Sequence, residues 1–319
     1  MKPWSNHEEP WRQWRSAQGS ARMHHGWILA GKSGLGKLEF AKAAARELVE
    51  EPGVPQPENH PDILEFTYGP KDDKEERKRQ NGKDFEVSKV IRVREIREMQ
   101  QRLTTRPTIG RRRTIIIHPA DDMNVEAANA LLKSLEEPPQ GTFFILVTHR
   151  PSRLLPTIRS RCRVLRFATL SEGQLSEMLA AEGLAHDPAA LHAAAGSYGA
   201  AVRFMEQDLG PVARMIDGLL TAGDPGFTAR SELSRLIGAR ASKERVQAVF
   251  DLAQSITAGR AKSAETNAAR AAMIDAHSDL IRLATQAPSH NFDAGLLTLE
   301  IGTLLVRAHA ASEPAHGPR

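Results

Sequence analysis

A phosphate-binding loop is the first motif in the sequence whose residue types and spacing indicate chemistry. The stretch GKSGLGKL, residues 31–38, fits the pattern G-x-x-x-x-G-K. In such a loop, successive backbone N–H groups and a helix N-terminus form a concave site for anions, and the lysine adds a positive charge. Gly31, Gly34, Gly36 and Lys37 retain these features, so phosphate binding remains possible.

The residue after the lysine lacks the group that catalysis needs. A P-loop enzyme places a hydroxyl there to hold Mg²⁺, whereas this sequence has Leu38, which cannot bind a metal. Hydrolysis also requires a carboxylate at the end of a core strand and a neighbouring acid or amide that positions the attacking water. The motif therefore raises the question of whether the chain hydrolyses a nucleotide or only retains the loop.

The segments around the loop predict the elements that must position it. Residues 27–30 form an apolar run of strand type, and residues 39–50 predict a helix with Phe40, Ala44 and Leu48 on one face. Further strands are predicted at 63–66, 114–119 and 142–148, and further helices at 90–103 and 125–137. Such alternation predicts a doubly wound α/β domain with a parallel sheet covered on both faces.

The strand patterns stop near residue 167, and the rest of the chain predicts helices rich in alanine and leucine. One group of helices extends to about residue 207, where glycine and proline interrupt the pattern before longer helices begin. We therefore expect three domains, which comprise residues 1–168, 169–210 and 211–319. A length of 319 residues also favours more than one hydrophobic core.

Composition favours a cytoplasmic protein. Hydrophobic residues make up 40% and charged residues 26% of the chain, and the apolar runs are far shorter than the roughly 20 residues of a membrane-spanning helix. The single cysteine, Cys162, excludes an intrachain disulfide and a cysteine-built zinc site. The net charge of +4 is compatible with work beside nucleic acid but is weak evidence for it.

Two further segments leave alternatives open. Residues 71–84 contain six basic and five acidic residues, which favours a solvated insertion or mobile loop over a DNA-binding role. Four tryptophans, Trp4, Trp11, Trp14 and Trp27, lie near the start of the chain. The i, i+3 spacing of Trp11 and Trp14 favours a helix anchored to the core, and the alternative is stacking on single-stranded DNA.

Two long segments closely resemble the clamp-loader branch of the AAA+ ATPases. They are NALLKSLEEPP, residues 129–139, and ILVTHRPSRLLPTIRSRC, residues 145–162. The resemblance extends from about His24 to Phe204 and implies an α/β P-loop (AAA+) domain, a small helical lid domain and an all-α C-terminal collar domain. HPDI, residues 60–63, matches a segment that follows a four-cysteine zinc module in many relatives. No cysteine precedes it here, so we expect no zinc.

The resemblance also assigns the remaining positions of the ATPase site. Aligned through Asn129, His118 and Pro119 occupy the strand-end positions where an active relative has Asp and Glu. A neutral imidazole is a poor ligand for Mg²⁺, and proline offers no side-chain base. Asp121 and Asp122 are the rival carboxylates, and we favour their interpretation as caps of the following helix.

Two other positions follow from the same alignment. Thr148, at the end of the fourth strand, matches the sensor-1 position, although an ordinary strand residue is an equally good interpretation. Gly199 stands at or beside the place where active members carry a phosphate-binding arginine in the lid. Arg203, one helical turn further on, is expected at the surface or in a subunit contact.

The motif SRC, which comprises Ser160, Arg161 and Cys162, is retained. In clamp loaders this motif places its arginine in the ATP site of a neighbouring subunit, where the arginine stabilises charge on the γ-phosphate. The resemblance therefore implies that Arg161 acts as an arginine finger in trans, although without it an arginine in a basic loop would be the better interpretation. Cys162 is expected to be a small packed residue and not a nucleophile.

These expectations combine into one functional hypothesis. The resemblance implies a non-hydrolysing, rigid subunit that works with the gamma/tau and delta subunits of a clamp loader to place a sliding clamp on primed DNA. It requires no cofactor, although weak nucleotide binding is possible. The alternatives are an active ATP-hydrolysing motor subunit of the same complex and a helicase or recombination motor. Both need catalytic groups that the sequence lacks.

Overall fold

The computed structural model describes residues 5–20, 23–184, 188–238, 241–290 and 293–312. The chain divides into two compact units, Met1–Thr169 and Leu170–Arg319. The helices of the first unit are α1 Glu8–Gln18, α2 Lys37–Val49, α3 Asp73–Gln80, α4 Val93–Arg102, α5 Val125–Glu136 and α6 Pro156–Arg159. Its strands are β1 Gly26–Ala30, β2 Ile63–Phe66, β3 Arg113–Ile117, β4 Thr142–Thr148 and β5 Arg163–Arg166.

The five strands of the first unit form one parallel sheet in the order β2-β3-β4-β1-β5. In the register of the central pair, Trp27 lies beside Ile145 and Ala30 lies beside Thr148. The ends of β1, β3 and β4 therefore meet at one edge of the sheet, where open α/β sheets bind their ligands. The predicted doubly wound α/β P-loop domain is confirmed.

Hydrophobic side chains cover both faces of the sheet, as a parallel sheet requires. Alternate residues of β1 supply the two faces: Ile28 packs towards α4 and α5, and Leu29 packs towards α1 and α2. Ile115 and Ile116 of β3 divide in the same way, and all four side chains are fully buried. Burial on both faces explains why these strands appear in the sequence as continuous apolar runs.

The N-terminal helix α1 is anchored by its tryptophans, as predicted. Trp14 is fully buried, and its ring centroid lies 5.1 Å from that of Trp27 on β1. Trp11 is partly buried, with its ring 4.3 Å from the ring of Phe40. The anchoring interpretation is confirmed for Trp11 and Trp14, while Trp4 lies outside the described residues.

Residues 71–84, predicted as a solvated insertion or mobile loop, contain the helix α3, so the mobile-loop alternative was wrong. The carboxylate of Asp72 caps the helix by accepting hydrogen bonds from the backbone N–H groups of Lys74, at 2.9 Å, and Glu75, at 3.0 Å. Three acidic residues in the first turn and three basic residues in the last turn complement the helix dipole. Local capping and charge therefore stabilise a helix that has no apolar stripe.

The second unit is entirely helical in its described residues. Its helices are α7 Glu172–Ala181, α8 Pro188–Ala194, α9 Tyr198–Glu206, α10 Gly210–Ala222, α11 Thr228–Ile237, α12 Lys243–Ser263, α13 Asn267–His290 and α14 Ala294–Ser312. Leu175 and Leu179 belong to a small buried cluster under α7 to α9, and a larger cluster joins α10 to α14. The boundary between lid and collar at residue 210 stays a prediction. No helix in the described ranges is long and apolar enough to span a bilayer.

Candidate phosphate-loop site

The loop between β1 and α2 takes the conformation that its glycines permit. Gly36 has a φ of 70°, in the left-handed region that favours glycine, and it directly precedes α2. Gly31 lies so close to the residue that follows β5 that an added Cβ would stand 2.7 Å from the carbonyl oxygen of Phe167. Both glycines are therefore required by the fold of the loop, whether or not the loop binds a ligand.

The lysine of the motif is bonded to its own loop. Lys37 is only 3% exposed, and its Nζ donates to the carbonyl oxygens of Gly31, at 2.7 Å, and Lys32, at 2.5 Å. Burial lowers the pKa of Lys37 to about 8, against the opposing effect of the negative charges of Asp121 and Glu39. The ammonium group that would bind a phosphate is thus hydrogen-bonded to backbone carbonyl oxygens of the loop.

A cavity of about 210 Å³ opens beside the loop. It is lined by Gly34, Gly36, Lys37, Leu38, Glu39, His118, Pro119, Val147 and His149. The structure therefore brings together the loop, the position after the lysine and the strand-end pair, as the sequence predicted. Glu39 supplies the one carboxylate among these lining residues.

His118 binds a carboxylate of the neighbouring strand instead of pointing freely into the cavity. Its Nε2 lies 2.6 Å from Oε1 of Glu65 at the end of β2, and Nζ of Lys42 lies 2.9 Å from the other oxygen of Glu65. Burial raises the pKa of Glu65, but the hydrogen bonds from Lys42 and His118 outweigh this effect and the net pKa is lowered. His118, at the end of β3, is thus paired with a carboxylate of β2.

The interpretation of Asp121 and Asp122 as helix caps was wrong. The cap of α5 is Asn124, whose side chain accepts a hydrogen bond from the N–H of Ala127 at 2.9 Å. Asp121 is 5% exposed and accepts hydrogen bonds from the Thr148 hydroxyl and from the N–H of His149. The signal that sequence reasoning missed is the asparagine directly before the helix, which left both aspartates free for another role.

The two aspartates fix the end of β4. Besides its bonds to Thr148 and His149, Asp121 accepts from Nε of Arg150 at 3.1 Å. Asp122 accepts from the Tyr68 hydroxyl at 2.6 Å and from Arg150 at 3.0 Å. Burial raises the pKa of Asp121, but the bonds from His149, Arg150 and Thr148 outweigh it and the net pKa is lowered. Asp121 is therefore ionised, and its oxygens are bound by Thr148, His149 and Arg150.

Thr148 and His149 lie together at the end of β4, beside the cavity. The hydroxyl of Thr148, the sensor-1-like residue, is buried and donates to Asp121 at 3.0 Å. His149 lines the cavity, and its Nδ1 is buried without a partner in the described parts of the chain. Burial and, secondarily, the charge of Lys37 lower the pKa of His149 to about 4, so this imidazole is neutral at pH 7. Sequence reasoning did not identify His149.

The SRC motif lies on the surface of the first unit, between α6 and β5. Arg161 forms an ion pair of 2.7 Å with Glu136 and donates to the carbonyl of Thr157 at 3.0 Å. Ser160 is exposed and donates to the same carbonyl. Burial raises the pKa of the Cys162 thiol to about 12, so this thiol is protonated at pH 7, which agrees with a packed residue.

A family model described as DNA polymerase III, delta subunit, matches residues 6–171, which carry the sheet, the phosphate loop and the SRC motif. The chain belongs to this family. Its relatives include DNA polymerase III subunit delta' of Pseudomonas aeruginosa, 36% identical over 48% of this chain and 46% of the relative. Subunit delta' of Escherichia coli is 31% identical over 59% of this chain and 57% of the relative. The resemblance to the clamp-loader family, with delta' among its members, is confirmed.

The chain spans about half the length of the curated relatives it matches. Subunit tau of Escherichia coli is also related, at 28% identity over 68% of this chain and 32% of the relative. Among solved structures, a gamma subunit-related protein of Thermotoga maritima is 21% identical, with a TM-score of 0.46, over 95% of this chain and 100% of that protein.

The remaining predicted positions lie in the second unit. Gly199 and Arg203 stand one helical turn apart on α9, and the helix is capped by the hydroxyl of Ser197. Arg203 lines a shallow groove together with Asp251 of α12. In the described ranges, no three His, Cys, Asp or Glu side chains are grouped so that they could hold a metal ion.

Proposed function

We propose that the chain is a delta'-like subunit of a cytoplasmic clamp loader, in which it acts as a stator that does not hydrolyse ATP. In this proposal it works with gamma/tau and delta subunits of the DNA polymerase III holoenzyme to load a sliding clamp onto primed DNA. It supplies Arg161 to the ATP site of a neighbouring subunit. The observation that carries the proposal is the cavity beside the phosphate loop. Leu38, His118 and Pro119 line it where a bound Mg²⁺ would need oxygen ligands.

The chemistry of this cavity supports a site that does not hydrolyse nucleotide. Mg²⁺ demands near-octahedral oxygen coordination, and Leu38 and Pro119 offer no side-chain oxygen. The carboxylate of Asp121 is committed to β4, and that of Glu65 is paired with His118 and Lys42. Glu39 could supply one oxygen from α2, which falls short of the hydroxyl and strand-end carboxylate of an active site.

The bonds of Lys37 support weak nucleotide binding at most. Two of the three N–H donors of the ammonium group already bind carbonyl oxygens of the loop, at 2.7 Å and 2.5 Å, so a phosphate would have to compete with them for this charge. The backbone N–H groups of the loop remain an anion site, so weak binding stays part of the proposal. The proposal includes no required cofactor and no zinc.

The surroundings of Arg161 support its release to a partner. The side chains of Arg161 and Glu136 are 37% and 48% exposed, and an ion pair between such groups contributes only about 0–1 kcal/mol. A neighbouring triphosphate carries more charge and accepts the planar guanidinium with two oxygens. The ion pair with Glu136 therefore keeps Arg161 at the surface. Breaking this pair so that Arg161 can reach a neighbouring subunit would cost little free energy.

The decisive experiment reconstitutes the complex with gamma/tau and delta subunits and measures ATP turnover and clamp loading on primed DNA. Arg161→Ala should leave assembly intact, by size, and slow hydrolysis, since an arginine finger contributes about 10³–10⁵ in rate at a single site. The steady-state loss will be smaller because other sites use other arginines. Arg161→Lys should be nearly as damaging, since it loses the planar fork.

Arg159→Ala is the matched control, because this exposed arginine lies two residues away at the end of α6. Equal activity of the Arg161→Ala and Arg159→Ala complexes would refute the role in trans. The isolated chain should show no ATPase activity above background, with or without primed DNA. Turnover that Lys37→Ala abolishes would refute the stator role, whereas turnover that survives this change would indicate a contaminant. Elemental analysis should find no stoichiometric zinc.

A further inference from the structure

The segment 70–88, which we term the arm, leaves the first unit and returns to it at one place. Pro70 and Val87 form an antiparallel bridge at its base. The N–H of Lys71 donates to the carbonyl of Glu86 at 2.9 Å, and a further backbone bond joins the residues beyond the bridge. The helix α3 lies between the two ends of the arm. No residue of the arm lines the cavity at the phosphate loop.

The inner side of α3 faces α4 and has its charges paired. Glu76 lies 2.8 Å from Arg79 and 3.6 Å from Arg94 of α4, and Arg79 lies 3.7 Å from Glu98 of α4. Glu75 is buried and accepts hydrogen bonds from Lys78, at 2.7 Å, and from the backbone of the returning strand. These acidic residues are therefore neutralised on the side of the arm that packs on the unit.

The outer side of the arm presents unpaired positive charge. Lys74, Arg77 and Lys83 are exposed, and their side chains have no ion pair or hydrogen bond in the described parts of the chain. Lys74 and Arg77 are three residues apart on α3, which places their Cβ atoms about 5–6 Å apart on one face. Asp72, which caps α3, and Asp73 and Asp84 are exposed carboxylates that oppose this charge.

An apolar strip follows these cations directly in the chain. Phe85 is 37% exposed, Val87 is 53% exposed and Val90 is 39% exposed. Phe85 and Val87 are alternate residues of the extended segment that returns to the base, so their side chains leave it on the same side. Glu86, between them, forms an ion pair with Lys71 at 3.0 Å. An exposed phenylalanine thus lies two residues after Lys83 in the chain, within the arm.

We propose that the arm binds a single strand of nucleic acid, with Lys74, Arg77 and Lys83 on the phosphates and Phe85 stacked on a base. Cations interleaved with an aromatic ring are the combination by which proteins bind single strands without reading sequence. A duplex keeps its base faces stacked, so it would leave Phe85 unused, and an acidic protein segment would use the cations alone. The proposal goes beyond the loading function above, because it needs neither Arg161 nor any other subunit.

The test measures binding of a fluorescent 20-residue thymidine oligonucleotide to the full chain by anisotropy, over a range of salt concentrations. The variant K74Q/R77Q/K83Q should lower the slope of log K against log salt by about 2, because each phosphate contact on a single strand contributes about 0.7. The matched control is R214Q/K243Q/K262Q, which removes three exposed cations from the second unit. Equal slopes for these two variants would overturn the proposal.

Two further variants separate stacking from charge. Phe85→Ala should weaken binding about 5- to 150-fold at every salt concentration without changing the slope, since stacking of one base contributes about 1–3 kcal/mol. D73N/D84N should tighten binding by removing two of the opposing carboxylates. Unchanged affinity of Phe85→Ala, or tighter binding of the matching duplex than of the single strand, would overturn the proposal. All substituted side chains are exposed, and circular dichroism verifies folding.

Discussion

The ammonium nitrogen of Lys37 lies 2.7 Å from the carbonyl oxygen of Gly31, the residue that begins the phosphate loop. The side chain of Lys37 thus forms a hydrogen bond with the backbone of its own loop. Because the lysine is 3% exposed, its charge also carries a cost of burial that a phosphate would otherwise offset. This arrangement makes the protonation of Lys37 measurable through the stability of the protein.

We predict that the wild-type protein gains stability relative to Lys37→Met as the pH rises. Burial lowers the pKa of Lys37 to about 8 in the folded protein, from 10.5 in the unfolded chain. Between these values the unfolded state binds more protons, so the free energy of unfolding rises with pH. Between pH 7.5 and 9.5 the gain over Lys37→Met should be about 2 kcal/mol by urea unfolding. A constant difference would show that the lysine is solvated.

We predict that Asp121→Ala destabilises the first unit by about 3 kcal/mol or more, because it leaves the buried hydroxyl of Thr148 and the N–H of His149 without an acceptor. Asp121→Asn, which retains one acceptor oxygen, should cost less. Urea unfolding at pH 7 measures both, with Asp84→Ala as an exposed control. Since the pKa of Asp121 is lowered by folding, its contribution should persist above pH 4 and disappear as the pH falls through the folded value.

The sequence predicted the sheet well because burial leaves a local pattern. Strands covered on both faces appear as apolar runs, such as residues 142–148, and the helices beside them show one apolar face. The helix α3 has no such face. It forms because Asp72 caps it and because Glu76 pairs with Arg94, more than a dozen residues away. Hydrophobic periodicity in the sequence does not reveal that contact.

The candidate site was predicted by residue identity but not by its bonds. Leu38, His118 and Pro119 line one cavity, as the alignment of motifs indicated. The role of Asp121 depends on where the ends of β3 and β4 meet, because it binds Thr148 and His149. Only the folded sheet brings those ends together, so no spacing in the sequence could reveal them.

We predict different costs for the two anchoring tryptophans. Trp14→Ala should destabilise the protein by about 3–5 kcal/mol, since it empties a fully buried site. Trp11→Ala should cost less, because its ring is only partly buried and lies beside the guanidinium of Arg15. Trp14→Phe should be mild, because the buried Nε1 of Trp14 has no partner within the described ranges that would be left unpaired. Thermal unfolding of the three variants checks this order.

The last prediction concerns rebuilding the metal site. The variant L38T/H118D/P119E should bind a fluorescent ATP analogue in the presence of Mg²⁺ and lose it on addition of EDTA, because a hydroxyl and two carboxylates then face the cavity. His118→Asp alone would place a carboxylate beside Glu65, which now lies 2.6 Å from the imidazole. Adding Glu65→Gln should therefore strengthen binding further, by removing repulsion between like charges.

Hydrolysis should stay slow in the rebuilt variant, since the resemblance implies that Gly199 stands at or beside the place of a lid arginine. Leu38→Thr by itself is the control, and it should gain little because the strand end still lacks an acid. Anisotropy with and without Mg²⁺ measures binding, and phosphate release measures turnover. If the wild-type chain bound the analogue as tightly as the rebuilt variant and with the same dependence on Mg²⁺, the missing oxygen ligands would not be what limits this site, and the stator proposal would lose its main support.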